Sequence, residues 1–152
     1  MEQYVAEERI AVGSDHAGLS LKLNLVTYLE ELGHDVIDMG THTPDRVDYP
    51  DYGAAVGRAV AGGEADIGLL VCGSGIGIGI AANKIPGIRA ATVHDATSAH
   101  LAREHNDANI ICMGERLIGP EVAIEALGAF LNARFEGGRH EGRVRKIDDL
   151  LK

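Results

Sequence analysis

Residues 71–84 read Val71-Cys-Gly-Ser-Gly-Ile-Gly-Ile-Gly-Ile-Ala-Ala-Asn-Lys84, and the rest of the chain is organised around this stretch. Because it follows the apolar run 67–71, it predicts a buried strand that ends in a glycine-rich turn and continues as a helix. The alternating glycines allow positive φ angles and leave backbone amides open to an anion. Cys72 lies at the mouth of the turn, where the positive end of a helix dipole favours a thiolate. The stretch therefore predicts a unit that combines binding with chemistry.

Strand and helix patterns alternate along the whole chain. Apolar runs of strand length occur at 9–14, 36–39, 66–71, 88–93 and 109–113. Helical spacing of apolar residues occurs between and after them, at 19–29, 52–60, 76–84, 96–104 and 120–135. This alternation predicts an α/β fold in which helices cover both faces of a five-stranded parallel sheet and the crossovers are right-handed.

The composition fits a single domain over 1–152. The 152 residues are 45% hydrophobic, which is enough for a core that folds without disulfides or metals. With 20 glycines and 4% aromatic residues, short turns and aliphatic packing are expected. A formal net charge of −9 argues against a nucleic-acid partner, although a local cationic cluster can still hold one phosphate. Residues 1–8 are predicted to be a disordered extension.

The two cysteines lie far apart and do not indicate a secreted disulfide framework, so a reduced, cytoplasmic protein is expected. The acidic N-terminus lacks the apolar core of a signal peptide. No apolar segment is long enough to cross a bilayer, so no membrane partner is expected. No cysteine or histidine spacing is typical of a zinc or iron site, so no metal is expected.

Polar residues follow the predicted strands. In open α/β sheets, ligands bind outside the carboxyl ends of the strands, near a switch in strand order. The residues that could share this rim are Asp15, His16, the turn 72–79, His94, Asp95 and Arg116. His105 and Asn106 lie just past a predicted helix and are further candidates.

The glycine turn has more than one interpretation. Gly77, Gly79 and Ala82 match the G-x-G-x-x-A spacing of a dinucleotide site, but the match begins inside the predicted helix of the third strand rather than after the first. No Gly-Lys-Ser/Thr follows, so a P-loop is excluded. An oxyanion cradle beside Cys72 fits better, with a turn used only for tight packing as the alternative. Cys112 is predicted to be a core residue.

Positive charge concentrates in residues 137–146 of this acidic chain. Arg139 and Arg143 are four residues apart and would share one face of a helix. A run of basic residues such as this one usually forms a solvent-exposed face. The pair also suits a phosphate monoester, because each guanidinium offers forked donors and a permanent charge.

Several segments, in order along nearly the whole chain, resemble the ribose-5-phosphate isomerase B family. They are Gly13-Ser-Asp-His-Ala-Gly18, Asp48-Tyr-Pro50, Cys72-Gly-Ser-Gly-Ile-Gly77 with Ala81-Ala-Asn-Lys84, Arg103-Glu-His-Asn-Asp107 and Glu136-Gly-Gly-Arg-His140. The wider RpiB/LacAB group also contains galactose-6-phosphate and allose-6-phosphate isomerases. The resemblance implies a Rossmann-like three-layer α/β/α sandwich and a homodimer or tetramer, with 137–152 contacting the partner subunit.

The implied reaction is the cofactor-free interconversion of D-ribose 5-phosphate and D-ribulose 5-phosphate through a cis-enediolate. A hexose-phosphate isomerase and a non-catalytic phosphosugar sensor are the alternatives. Cys72 matches the base that moves a proton between C1 and C2; some relatives use a glutamate further along this loop, but residues 76–80 offer no carboxylate. His105 matches the histidine that opens the furanose ring. Ser74 keeps the hydroxyl of a common threonine and is grouped with these catalytic residues.

The remaining matches are substrate-binding positions. Asp15, His16 and Asn106 match residues that contact the substrate. The amides of the loop that holds the enediolate oxygens correspond to Gly73, Gly75, Ile76 and Gly77. The phosphate ligands correspond to Arg116, Arg139 and Arg143, some of them supplied across a dimer interface.

Overall fold

A computed structural model describes residues 6–152, in which five strands alternate with five α-helices and a sixth α-helix follows. The strands are β1 Arg9–Ser14, β2 Asp35–Asp38, β3 Ile67–Cys72, β4 Ala90–Thr92 and β5 Ile110–Gly114. The helices are α1 Leu19–Glu31, α2 Tyr49–Ala61, α3 Ile76–Ala82, α4 Ala96–Asn106, α5 Pro120–Asn132 and α6 Glu141–Asp149.

All neighbouring strands pair in parallel, in the order β2-β1-β3-β5-β4. The central strand β3 is buried along its whole length, as its uninterrupted apolar sequence predicts for a strand covered on both faces. One apolar cluster packs α1, α4 and α5 against one face of the sheet, and a second packs α2 and α3 against the other. The predicted three-layer α/β/α sandwich with a five-stranded parallel sheet is confirmed.

The neighbouring strands β1 and β3 send their crossovers to opposite faces. Helix α1 follows β1 and packs in the first apolar cluster, whereas α3 follows β3 and packs in the second. A crevice therefore opens between the carboxyl ends of β1 and β3, which is the usual ligand position in open α/β sheets. Among residues 6–152, no helix is both long and apolar enough to span a membrane.

Several element boundaries differ from the sequence prediction. Helix α2 begins at Tyr49 rather than 52, because Pro50 in its first turn needs no amide hydrogen bond and fits the helical φ angle. Strand β4 is shorter than 88–93 because the side chain of Asn109 takes the amide of Arg89 and that of Asn83 bonds both backbone groups of Ala90.

The C-terminal region also differs. Helix α5 ends at Asn132 rather than 135, since Ala133 is already extended. Helix α6 was not among the predicted helices because Val144 is the one buried residue on it, which leaves almost no apolar periodicity to detect. Of the predicted N-terminal extension, residues 1–5 lie outside the described part, while the Glu8 amide donates to His34 Nδ1 at 3.1 Å.

Lys22 is fully buried on α1 and is paired there. Its ammonium donates to Asp38 Oδ1 at 2.8 Å and to the carbonyl oxygen of Thr41. These contacts connect α1 to the last residue of β2 and to the loop that follows it. Removing one partner of a buried ion pair destabilises the fold, because the other partner is left buried without its hydrogen bonds.

We expect Lys22→Met to lower the free energy of unfolding by about 3 kcal/mol, because it leaves a buried carbonyl and part of a carboxylate unpaired. Thermal denaturation should show a fall in Tm of about 10 °C. Lys146→Met, at an exposed position of α6, is the control and should leave Tm within about 1 °C. Equal Tm values for the two variants would contradict this account of Lys22.

Candidate active site

A cavity of about 400 Å³ opens at the crevice between β1 and β3. Its lining contains these sequence-predicted residues: Asp15, His16, Cys72, Gly73, Ser74, Gly77 and Arg116. The cavity also includes Tyr49 of α2, for which the sequence pattern predicts no role. Residues from four separate segments of the chain are thus brought to one edge of the sheet.

Cys72 is the last residue of β3 and is only 4% exposed. The amide of Gly75 donates to its Sγ at 3.1 Å. This contact folds the glycine turn back over the thiol and fixes the sulfur beside the backbone of the loop. A group that could accept a proton is therefore held next to amides that could stabilise negative charge.

Two glycines of the turn are required by close packing. Gly75 has a φ of +76°, and a Cβ on it would lie 2.7 Å from the carbonyl carbon of Met113. A Cβ on Gly77 would lie 2.5 Å from the ring of Tyr49. The turn is therefore compressed between β5 and α2, and a side chain at either position would force the loop away from Cys72.

Arg116 is held against this turn by the backbone. Its amide donates to the carbonyl of Gly73 at 3.0 Å, and the amide of Glu115 donates to the carbonyl of Cys72 at 3.0 Å. The Glu115 carboxylate accepts from the amide of Leu21 in the first turn of α1 at 2.6 Å. The segment after β5 thus joins two sides of the cavity and brings a guanidinium to its lining.

Asp15 and His16 follow β1 directly. The buried carboxylate of Asp15 accepts from the amide of Gly18 at 3.0 Å and begins a short 3-10 turn. The Nδ1 of His16 accepts from the amide of Val47 at 3.2 Å, which leaves Nε2 as the nitrogen available to a ligand. The sequence pattern placed both residues at this rim because polar residues directly follow a buried strand there.

Other residues of the predicted rim are not part of the cavity lining. Ile76 is 51% exposed at the start of α3 but is not among the cavity-lining residues. The Asp95 carboxylate accepts from the amide of Ser98 at 2.7 Å and caps α4, and this hydrogen bond lowers its pKa. An acid engaged as a helix cap gives no support to the dinucleotide interpretation. His94 beside it is exposed.

Cys112 is a core residue, as predicted. Its side chain is fully buried in the apolar cluster that also contains Cys72, and burial raises the pKa of its thiol strongly. A thiol that stays neutral inside the core is inert, so Cys112 is a matched control for Cys72.

His105 and Asn106 lie away from this cavity within one chain. Helix α4 begins near the carboxyl edge of the sheet, after β4, and ends before β5 begins at Ile110, so its last residues lie at the opposite edge. Arg139 and Arg143 are near His140, and the ring of His140 stacks on that of His105. The candidate residues therefore form two groups at opposite edges of the sheet.

His105, Glu136 and His140 place three potential metal-ligand atoms within 4.8 Å of one another. The two imidazole rings are stacked, however, with an angle of 16° between their planes. Nitrogen lone pairs lie in the ring planes, so nearly parallel rings do not direct them at one ion. Two neighbouring guanidinium groups also repel a cation. The geometry favours a stacked pair over a metal centre.

Known sugar-phosphate isomerases are similar to this chain over nearly its whole length. The Ribose/Galactose Isomerase family model matches residues 10–147. The "Ribose-5-phosphate isomerase B" of Escherichia coli strain K12 is 50% identical over 92% of this chain and 94% of its own length. The "Galactose-6-phosphate isomerase subunit LacB" of Clostridium acetobutylicum is 40% identical over 94% of this chain and 83% of its own length.

A solved structure also matches over nearly the whole chain. The structure described as Clostridium thermocellum ribose-5-phosphate isomerase B has a TM-score of 0.93 and 49% sequence identity, covering 93% of this chain and 96% of that one. The similarity therefore extends to the complete three-layer sandwich and to the elements that position Cys72 and Arg116.

Proposed function

The chain belongs to the ribose/galactose isomerase family and is an isomerase, and we propose that it interconverts D-ribose 5-phosphate and D-ribulose 5-phosphate. The observation that supports this most is the position of Cys72, whose sulfur contacts the glycine turn in a cavity that Arg116 also lines. A proton acceptor, amide donors and a phosphate-binding cation are the groups that such a reaction needs. Catalysis by Cys72 requires a reduced thiol, so we propose that the protein works in a reducing compartment, the cytoplasm.

In the proposed mechanism, the Cys72 thiolate removes the proton from C2 of the open-chain aldose. Electrons move into the C1 carbonyl and give a cis-enediolate, whose negative charge develops on oxygen. The amides of residues 73–77 then stabilise this charge, and they act more strongly on the intermediate than on the substrate. The hydroxyl proton of O2 passes to O1, and the same thiol returns its proton to C1 as O2 becomes the carbonyl oxygen of the ketose, so no external electron donor or acceptor is required.

We further propose that two copies of the chain complete each site. His105 and Asn106 lie at the edge of the sheet opposite Cys72 and do not line the cavity of their own chain. A cleft of about 610 Å³ adjoins Asn106 and is lined by the exposed apolar side chains of Ile80, Leu150 and Leu151. A homodimer would bury this surface and could bring His105, Arg139 and Arg143 of one copy to the Cys72 of the other.

A hexose 6-phosphate is the second candidate substrate. It is favoured by the similarity to the protein named galactose-6-phosphate isomerase subunit LacB. Both substrates share the carbonyl end and the phosphate, and they differ by one carbon in the distance between the two. The distance from Cys72 to the phosphate-binding arginines therefore determines whether the site prefers a pentose phosphate or a hexose phosphate.

We expect ribose 5-phosphate to be turned over with a kcat/KM at least about tenfold above that of allose 6-phosphate or galactose 6-phosphate, since one misplaced carbon costs about 1–3 kcal/mol. A coupled assay that offers the three sugars in parallel measures this preference. A preference for either hexose phosphate would contradict the pentose assignment. Binding of all three without turnover would indicate a sensor.

A further inference from the structure

The rings of His105 and His140 form a stacked pair, with centroids 4.4 Å apart and planes inclined by 16°. His105 is half-buried on the last turn of α4, whereas His140 is 7% exposed and ends the 3-10 turn Gly138–His140. We propose that His140 is a positioning residue, whose ring holds His105 in the orientation required to open a furanose ring. This inference rests on the proposed isomerase function.

The backbone around His140 is built to bring its ring onto α4. Gly137 and Gly138 have φ angles of +67° and +52°, and the amide of His140 donates to the carbonyl of Gly137 at 3.0 Å. Just before this turn, the amide of Glu136 donates to the carbonyl of Glu104 at 3.0 Å. The turn therefore starts from a point fixed on α4, next to His105.

Helix α6, which follows His140, is anchored to the same end of α4. The guanidinium of Arg89 donates to both carboxylate oxygens of Asp148 on α6, at 2.8 and 3.0 Å. It also donates to the carbonyls of Asn106 and Asp107, at 3.1 and 2.8 Å. Both flanks of His140 are thus tied to α4, so the stacked arrangement does not depend on the ring contact alone.

His140 contacts His105 through the face of its ring. Its Nε2 is buried and has no hydrogen-bond partner among residues 6–152, and the nearest carboxylate oxygen, on Glu136, lies 3.7 Å away. Burial lowers the pKa of His140, and the positive charges of Arg139 and His105 act in the same direction. A neutral ring can stack on His105 without repelling it when His105 gains a proton.

Ring opening requires His105 to be held in a defined orientation relative to the sugar, because protons move at two sugar oxygens. The hydroxyl on C1 loses its proton, the bond between C1 and the ring oxygen breaks as the C1 carbonyl forms, and the ring oxygen receives a proton. A side chain that transfers these protons must lie within hydrogen-bond reach of the sugar oxygens. An imidazole at the end of a helix can rotate out of reach, and a flat ring packed against its face prevents this rotation.

Two reactions separate ring opening from the later proton transfer. Ribulose 5-phosphate cannot close into a furanose because its O5 carries the phosphate, so exchange of solvent deuterium into its C1 position reports proton transfer at Cys72 alone. Turnover of ribose 5-phosphate requires ring opening as well. We expect His140→Ala to lower kcat on ribose 5-phosphate about 10- to 100-fold, the scale of a misplaced catalytic group, and to keep the exchange rate within about threefold.

Two further variants make the test specific. His140→Phe keeps a flat ring at a position whose Nε2 has no partner among the described residues, and should restore kcat to within about fivefold of wild type. His34→Ala removes a histidine that is also 7% exposed but lies directly before β2, and should leave both reactions unchanged.

An equal loss of turnover and exchange in His140→Ala would assign His140 to folding or phosphate binding and overturn the inference. Unchanged turnover in that variant, or a loss in His140→Phe as large as in His140→Ala, would overturn it as well. A wild-type protein that catalyses neither reaction would instead contradict the proposed isomerase function.

Discussion

Cys72→Ala should lower kcat on ribose 5-phosphate by about 10³-fold or more, since a positioned general base typically contributes 10²- to 10⁴-fold. The thiol is 4% exposed and is held against the glycine turn by the Gly75 amide, so water cannot easily take its place. Deuterium exchange into C1 of ribulose 5-phosphate should fall equally, because both reactions pass through the same enediolate. This joint loss distinguishes the base from residues that act on ring opening.

The matched control is Cys112→Ala, which removes the other thiol from the same apolar cluster. It should keep kcat within about twofold, with a modest loss of stability from the cavity it leaves. Calorimetric titration of Cys72→Ala with ribose 5-phosphate should give a Kd within about threefold of the wild-type KM, since the variant keeps its arginines and loop amides. Retained turnover in Cys72→Ala would remove Cys72 from the role of base.

The order and type of the central elements could be predicted because each strand is a short apolar run that ends in glycine or polar residues. Boundaries could not be predicted where side chains replace the backbone as hydrogen-bond partners. Asn83 bonds both backbone groups of Ala90, and Asn109 takes the amide of Arg89, so β4 is shorter than its apolar sequence. Sequence periodicity carries no information about such side-chain contacts.

The residues around the cavity could be grouped from sequence because parallel strands bring their carboxyl ends to one edge. Tyr49 received no role because it reaches the cavity from the first turn of α2, whose start the pattern placed too late. No role for His140 could be predicted, because stacking joins residues from different elements and the spacing of residues in the sequence does not reveal it. The candidate residues fall into two groups because α4 runs away from the carboxyl ends of the strands and carries His105 to the opposite edge of the sheet. This separation can be inferred only once the strand order is known.

Mixing two inactive variants should restore activity if the site is shared between copies. In a heterodimer of Cys72→Ala with His105→Ala, one site combines both changes, while the other pairs an intact Cys72 with an intact His105 of the opposite chain. We therefore expect about half the wild-type activity per heterodimer, or about a quarter after random re-pairing of equal amounts. Sites built within single chains would leave every site with one missing catalytic residue.

The most direct measurement is the ribose 5-phosphate isomerase activity of that heterodimer, purified with a different affinity tag on each variant. The account predicts about half of the wild-type kcat per dimer, with each homodimer of a single variant inactive on ribose 5-phosphate to within a few per cent. A heterodimer as inactive as its parents would contradict the claim that Cys72 of one chain works with His105 of another.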